Sequence, residues 1–151
     1  MTQLLRTNPQ HPDYQRLVAA LDASLRITDG EEFHFYAQFN KSDAIKYVLL
    51  VQKDEQFVAC GAIKAFDAQT MEVKRMFVAE THRNQGIAST LLKGLEKWIL
   101  ELGYQKSILE TGVRQLAAIR LYEKNAYQRI PNYGQYVDQP SSVCFAKHLD
   151  A

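Results

Sequence analysis

A short segment in the middle of the chain, residues 83–89, has residue types suited to binding a phosphate group. It follows an apolar run that ends at Val78 and leads into a helical pattern that starts near Gly86. The first turn of a helix presents backbone N–H groups without intrahelical partners, and the helix dipole adds about half a positive charge there. Gly86 and Ala88 let a phosphate approach the backbone, and Arg83 can add a charge. The residues expected to form this cradle are Arg83, Asn84, Gln85, Gly86, Ile87, Ala88 and Ser89.

Other nucleotide-binding motifs fit the chain badly. The sequence contains no G-x-x-x-x-G-K-[ST] phosphate loop, and no G-x-G-x-x-G follows a first strand. An ordinary loop that starts a helix with a glycine is the alternative to an anion site at this stage.

Length and composition restrict the class of protein. The 151 residues suit one domain, which we assign to residues 1–151, and the net charge of +1 gives no electrostatic reason to expect nucleic acid or an anionic membrane. The longest apolar run, 47–51, is far shorter than the roughly 20 residues that span a bilayer. Cys60 and Cys144 lack metal-binding spacing. We therefore expect a cytoplasmic protein with two buried, reduced cysteines and no metal.

Helical and strand patterns alternate around the cradle. The order of these segments predicts an α/β fold, a mixed sheet with helices on both faces. The predicted helices are Tyr14–Ile27, Glu31–Phe39, Gly86–Leu102 and Gln115–Lys124, and the predicted strands are Lys46–Gln52, Phe57–Phe66, Met71–Val78, Ser107–Glu110, Tyr127–Ile130 and Ser142–His148.

Two motifs in the right order give the segment a family resemblance. Residues 83–88 match the pattern [QR]-x-x-G-x-[GA], and residues 118–127, about 35 positions later, resemble A-x-x-L-Y-x-x-x-G-[FY]. From Phe57 to the C-terminus the chain resembles the GNAT superfamily of N-acetyltransferases, and its tail, residues 129–145, is similar to a bacterial subgroup of uncharacterised small-molecule or peptide acetyltransferases.

The resemblance implies how acetyl-CoA would bind. A central mixed, mostly antiparallel sheet would splay between its parallel strands, 71–78 and 107–111. The pantetheine arm would enter the gap and pair with the backbone of Met76 and Val78, while the pyrophosphate rests on the cradle. The Met76 N–H would stabilise the oxyanion of the tetrahedral intermediate, a contribution typically worth ~3 kcal/mol.

The resemblance also implies an acid and a base. Tyr122 would protonate the departing sulfur, and its pKa near 10 against about 8.5 for a thiol makes this cost roughly 2 kcal/mol. Glu72 or Glu110 would deprotonate the amine, with water as the remaining alternative. Strand alternation predicts that Glu72 shares a face with Lys74, Met76 and Val78.

Two positions depart from the family pattern. Gln115 stands where many members have an asparagine that holds the cofactor arm. Ala126 replaces the usual glycine after the last helix, which costs about 1 kcal/mol if the residue is left-handed, and Asn125 could end the helix instead.

The resemblance places the acceptor pocket among aromatic residues. We expect His34, Tyr133 and Tyr136 to line it, together with Glu110. The predicted reaction is transfer of the acetyl group to a primary amine of a small molecule, amino acid or peptide, and we allow for a homodimer. The alternatives are a non-catalytic acetyl-CoA-binding module and an acyltransferase with a longer acyl-CoA or a hydroxyl acceptor.

Overall fold

The computed structural model describes residues 2–33 and 45–150. The strands in this part of the chain form one seven-stranded sheet of order β1-β2-β3-β4-β5-β7-β6. Every neighbouring pair is antiparallel except β4 and β5, which confirms the predicted mixed sheet. The strands are β1 (Thr2–Thr7), β2 (Tyr47–Lys53), β3 (Gln56–Ala65), β4 (Thr70–Val78), β5 (Lys106–Gly112), β6 (Gln128–Ile130) and β7 (Ser142–His148).

Helices cover both faces of the sheet, as predicted. Helix α1 is Pro12–Asp29, α2 is Ile87–Glu101 and α3 is Leu116–Lys124, with short 3-10 turns at Gly30–Glu32, Glu80–His82 and Gly134–Tyr136. Tyr14 and Leu17 of α1 pack on Val48 and Leu50 of one face. The apolar stripe of α2 packs on the other face, against residues such as Leu49 and Ile63, and Tyr122 of α3 joins the same cluster.

The N-terminal strand and the second helix differ from the sequence prediction. Strand β1 was not predicted, although it pairs with β2 from Thr2↔Lys53 to Thr7↔Val48. It lies at the sheet edge and most of its residues are exposed, so its sequence carries no clear apolar alternation. Of the predicted helix Glu31–Phe39, the described residues show only the end of a 3-10 turn; His34 and the rest lie outside the described residues.

Strands β4 and β5 separate soon after they meet. Their parallel register runs only from Thr70↔Lys106 to Glu72↔Ile108, so the following residues of β4 have no β5 partner. This is the predicted splay, and it opens a gap in the middle of the sheet.

A β-bulge in β4 contradicts the predicted strand alternation. In the register with β3, Ala62 pairs with Lys74 and Cys60 pairs with Phe77, so Arg75 and Met76 both face Gly61. Arg75 has a left-handed backbone, with φ of 58°. The extra residue reverses the alternation beyond it.

The bulge therefore sends the predicted group of side chains to opposite faces. Glu72 and Lys74 lie on the α1 face, whereas Met76 and Val78 pack against the α2-face cluster. The prediction that all four share a face is wrong, because simple alternation assumes a strand without a bulge.

Helix α3 ends in a strained residue. Asn125 has φ of −95°, so it does not adopt the left-handed conformation. Ala126 adopts it instead, with φ of 71° and an exposed side chain. The alanine that replaces the family's glycine therefore occupies the left-handed position at the end of α3, where glycine is favoured.

We predict that Ala126→Gly raises the free energy of unfolding by about 1 kcal/mol, because glycine adopts a positive φ without a Cβ clash. Ala117→Gly, at an exposed position in the first turn of α3, is the matched control and should lower it by up to about 1 kcal/mol. Urea unfolding measures both. Equal losses in the two variants would show that Ala126 is not strained.

Candidate active site

The gap between β4 and β5 opens into a cleft of about 150 Å³ that also reaches α1 and α3. The structure brings six of the sequence-predicted site residues into its wall. These are Glu72, Met76, Glu110, Gln115, Tyr122 and Tyr136.

The phosphate cradle begins at Gly86, the residue that precedes α2. Its backbone is left-handed, with φ of 77°, and no side chain caps the first turn of α2 within the described residues. A Cβ built on Gly86 would meet no atom within 4 Å, so open space lies beside the free N–H groups. Asn84 is also left-handed, at 63°, which turns the chain into the helix. This geometry suits an anion.

Side chains around the cradle brace it. Arg83 donates from Nε to the Val78 carbonyl at 3.0 Å, and its guanidinium lies over the Phe77 ring at 5.5 Å. Lys53 donates to Gln85 from the neighbouring β2 strand end. Arg83 therefore fixes the loop to β4 in addition to any role toward a phosphate.

Asn125 connects the two helices that flank the gap. Its amide donates to Ser89 Oγ at 3.2 Å, in the first turn of α2, and to the Leu121 carbonyl at 2.9 Å. Sequence reasoning treated Asn125 only as a helix end, but the structure adds this link to the cradle.

The bulge leaves the Met76 backbone outside both strand registers. Met76 has no paired residue in β3 or in β5. Its side chain lies close to Gly61, where an added Cβ would stand 3.3 Å from Met76 Cγ and 2.9 Å from Leu95 Cδ1. Glycine at position 61 therefore permits the packing that holds the bulge.

Tyr122 directs its hydroxyl toward the gap from α3. The residue is 6% exposed and packs against Tyr127 and Phe145. Its recorded polar neighbour is Met76 Sδ, 4.0 Å from the hydroxyl, which is a weak acceptor. Burial, and then the charge of Glu110, raise the pKa of Tyr122, so the phenol stays protonated near neutral pH.

Glu110 lies on β5, on the other side of the gap. Its carboxylate accepts a hydrogen bond from the Ser142 hydroxyl. The pKa of Glu110 is raised to about 7, mainly by burial and also by Glu72 and Asp29, while Ser142 and Lys74 oppose the rise. The carboxyl group thus changes its charge near neutral pH.

Glu72 is held by two neighbours. Its Oε2 accepts from the Tyr133 hydroxyl at 2.6 Å, and its Oε1 lies 3.8 Å from Lys74 Nζ. Burial, and then Glu72, raise the pKa of Tyr133, which therefore remains a donor. The Tyr133 ring packs edge-on against Phe66 and Tyr136. One carboxylate oxygen of Glu72 therefore accepts a hydrogen bond, and the other makes a longer ion pair.

Three charged residues in the cleft were missed by sequence reasoning. Lys74 and Arg75 of β4 are 8% and 6% exposed, and Asp29 ends α1. The sequence did contain a signal for them. Glu72, Lys74 and Arg75 lie in a strand that is predicted to be central in the sheet, and a central strand buries some of its charged side chains. Glu72 and Lys74 share a face by simple alternation, but only the tertiary structure brings Arg75, at the bulge, and Asp29, at the end of α1, to the same cleft.

Several predicted absences stay predictions. Within residues 2–33 and 45–150, no group of three or more His, Cys, Asp or Glu residues could hold a metal ion. None of the helices there is both long and apolar enough to cross a lipid bilayer. Cys60 and Cys144 are buried and unpaired, as expected. The cytoplasmic location and the homodimer also stay predictions.

The chain matches the sequence profile of the acetyltransferase (GNAT) family over residues 11–127. It belongs to this family. It is 30% identical over 97 residues to the uncharacterised N-acetyltransferase YsnE of Bacillus subtilis, and the match covers 63% of this chain and 64% of YsnE, less than two thirds of either.

Two solved structures support the GNAT fold. A proposed acyl-CoA N-acyltransferase of Klebsiella pneumoniae is 29% identical, with a TM-score of 0.84 over 99% of both chains. A GNAT acetyltransferase of Elizabethkingia anophelis, which has acetyl-CoA bound, is 19% identical, with a TM-score of 0.73 over 98% of both chains. The family assignment and the fold prediction are confirmed.

We predict that Glu110→Gln stabilises the GNAT protein at pH 8 but not at pH 5. The pKa of Glu110 lies above its ordinary value of 4.5, so ionising it costs stability as pH rises from about 4.5 to 7. Removing that charge should add ~1–3 kcal/mol at pH 8, measured by urea unfolding.

Glu123→Gln is the control for this experiment, since Glu123 is exposed on α3 and the same change should alter stability little at either pH. A Glu110→Gln effect that is equal at pH 5 and pH 8 would contradict the raised pKa.

Proposed function

We propose that this GNAT protein is an N-acetyltransferase that moves the acetyl group of acetyl-CoA to a primary amine. The observation that carries the proposal is the splayed gap itself. An uncapped helix start follows β4 along the chain, and Glu110 and Tyr122 line the cleft at the gap. A binding module alone would need the first feature but not a carboxyl group that titrates near neutral pH.

The cofactor would use the cradle and the free edge of β4. Its pyrophosphate would accept hydrogen bonds from the N–H groups of residues 84–89, beside the open space over Gly86. The pantetheine arm would lie along Met76 and Val78, where β4 has no β5 partner. Gln115, which lines the cleft, would contact this arm from α3.

Glu110 is the better candidate for the base. Its pKa of about 7 lets it be ionised in a large fraction of molecules and still accept a proton. Glu72, the alternative from sequence, is engaged by Tyr133 and Lys74. We therefore assign Glu72 to the structure of the acceptor side and Glu110 to proton removal.

The remaining steps follow from the geometry of the gap. The deprotonated amine attacks the thioester carbon, and the Met76 N–H stabilises the oxyanion, since no strand partner engages it in the register. As the C–S bond breaks, Tyr122 would give its proton to the sulfur, since its hydroxyl lies beside Met76 at the gap.

We predict that acetyl-CoA raises the melting temperature of the protein and that Gly86→Glu abolishes the rise. The new side chain would fill the open space with a negative charge. Thermal unfolding with and without acetyl-CoA measures this.

Gly103→Glu is the matched control. Gly103 also has a positive φ, 93°, and open space around it, but it lies beyond the other end of α2. Gly103→Glu should lower the melting temperature of the free protein by a similar amount, yet acetyl-CoA should still raise it. A full shift in folded Gly86→Glu would remove the cradle from the proposal.

We predict opposite kinetic signatures for the acid and the base, once an amine substrate is identified by thiol release. In the wild type, kcat/KM should rise with pH through about 7 as Glu110 ionises. In Glu110→Gln, kcat/KM should no longer rise near pH 7, and activity should recover partly at high pH, where free amine is abundant. Tyr122→Phe should lower kcat by about 10- to 1000-fold with unchanged acetyl-CoA affinity.

Glu72→Gln should keep the rise of kcat/KM near pH 7, which is the acidic limb of the pH profile. Loss of that limb in Glu72→Gln, with Glu110→Gln retaining it, would reverse the assignment. Retention in both variants would leave deprotonation to water.

A further inference from the structure

The cleft that would receive the amine is electrically divided. Its β4 wall carries the cations Lys74 and Arg75 beside the Tyr133-bound carboxylate of Glu72, and the opposite side, where β5 meets the end of α1, carries Glu110 and Asp29. We propose that the amine acceptor also carries a carboxylate, which Lys74 binds while Glu110 receives the amine. This inference rests on the proposed acetyl transfer.

Lys74 is the group that points to an anionic ligand. Its side chain is 6% exposed, and the nearest carboxylate oxygen, Glu72 Oε1, is 3.8 Å from Nζ, beyond hydrogen-bond distance. Among residues 2–33 and 45–150, Nζ makes an ion pair with Glu72 but donates no hydrogen bond to its carboxylate. A buried ammonium is costly unless it is paired and hydrogen-bonded. Burial accordingly lowers the pKa of Lys74.

Glu72 does not complete the coordination of Lys74. Its closer contact is with Tyr133, whose hydroxyl donates to Oε2 at 2.6 Å. That hydrogen bond holds the Glu72 carboxylate at a distance from which it attracts the Lys74 ammonium but accepts none of the three N–H donors of Lys74. A ligand carboxylate in the cleft could accept those hydrogen bonds.

Arg75 strengthens the positive side. Its Nη2 donates to Asp22 of α1 at 2.7 Å, but its Nε is buried and has no hydrogen-bond partner. Arg75 lies next to Lys74 along β4 and also lines the cleft. A second ammonium on the acceptor would therefore meet two cations at this wall, each only partly offset by a carboxylate, Glu72 or Asp22.

The negative side suits an amine. Glu110 and Gly112 are two residues apart on β5, so their side-chain positions share a face. Asp29 Oδ1 would stand 3.8 Å from a Cβ built on Gly112, which places this carboxyl near Glu110. Burial, and then Glu32, raise the pKa of Asp29, while Arg114 opposes the rise. An ammonium entering here would be attracted to both groups.

An amino acid or a related amino carboxylate matches both sides. Its amine would lose a proton to Glu110 and form the new N–C bond as the C–S bond of the thioester breaks, and Tyr122 would protonate the sulfur. The carboxylate takes no part in the chemistry and remains bound to Lys74. A simple monoamine would leave Lys74 without its acceptor.

The test compares matched acceptors by thiol release from acetyl-CoA. The panel contains the common amino acids, the amide of each, the amine that lacks the carboxyl group, and 1,4-diaminobutane. We expect at least one amino acid to exceed both its amide and its amine in kcat/KM by about 10- to 100-fold, the range of a hydrogen-bonded charge.

Variants at position 74 assign the preference. Lys74→Met should reduce the ratio of kcat/KM for the amino acid to kcat/KM for its amide to near one, mainly through KM. Lys74→Arg should retain most of this ratio because the charge remains. The acetyl-CoA melting shift should persist in both, which checks that the fold and the cradle are intact. A preserved ratio in folded Lys74→Met would overturn the role of Lys74.

Failures of the two proposals are distinguishable. If amides, monoamines or 1,4-diaminobutane match or exceed every amino acid, the carboxylate inference is overturned while acetyl transfer stands. If acetyl-CoA binds and no acceptor releases thiol above the rate of hydrolysis, the proposed N-acetyltransferase function is overturned, and the inference with it.

Discussion

The bulge at Arg75 and Met76 is the constraint on which the site depends. One extra residue opposite Gly61 interrupts the pairing of β4 with β3 and reverses the direction of the side chains beyond it. Before the bulge, Glu72 and Lys74 face α1; after it, Met76 and Val78 face α2. The same strand can therefore present charged groups to an acceptor and a free backbone edge to a cofactor. Gly61 permits this, because a Cβ there would press on Leu95 and Met76.

The charges around the gap are expensive for stability, and their arrangement indicates what they are for. Arg75, Lys74 and Glu72 are each less than 9% exposed, in a protein whose other core residues are mostly apolar. Each of the three residues has an ion-pair partner, but the pairing is incomplete. The Nε atom of Arg75 has no hydrogen-bond partner, and Lys74 has only a long contact with Glu72. A folded core of this size would be at least as stable with apolar residues at such positions. Incomplete pairing in a cleft is expected where a ligand supplies the missing groups.

Burial raises the pKa of both the proposed base and the proposed acid, which helps the base and weakens the acid. It raises the pKa of Glu110 to about 7, which favours proton removal at neutral pH. It also raises the pKa of Tyr122, which makes the phenol a weaker acid than its ordinary value implies. The cost of about 2 kcal/mol expected from unperturbed values is therefore too low. Proton transfer from Tyr122 is consistent with the reaction only when it accompanies cleavage of the C–S bond, as thiolate basicity develops.

The amino-acid sequence by itself determined the family, the cradle at residues 83–89 and most of the strands and helices, because these depend on local patterns and on two motifs with set spacing. It did not determine the exposed edge strand β1, which buries too little to leave an apolar pattern. Nor did it determine which side chains share the cleft. Lys74 shares its face with Glu72 by simple alternation, whereas Arg75 joins them only because the bulge changes the alternation of β4. Asp29 meets Glu110 because α1 ends beside β5. Alternation is a local rule, whereas a bulge arises from packing between strands, here at Gly61, and so required the tertiary structure.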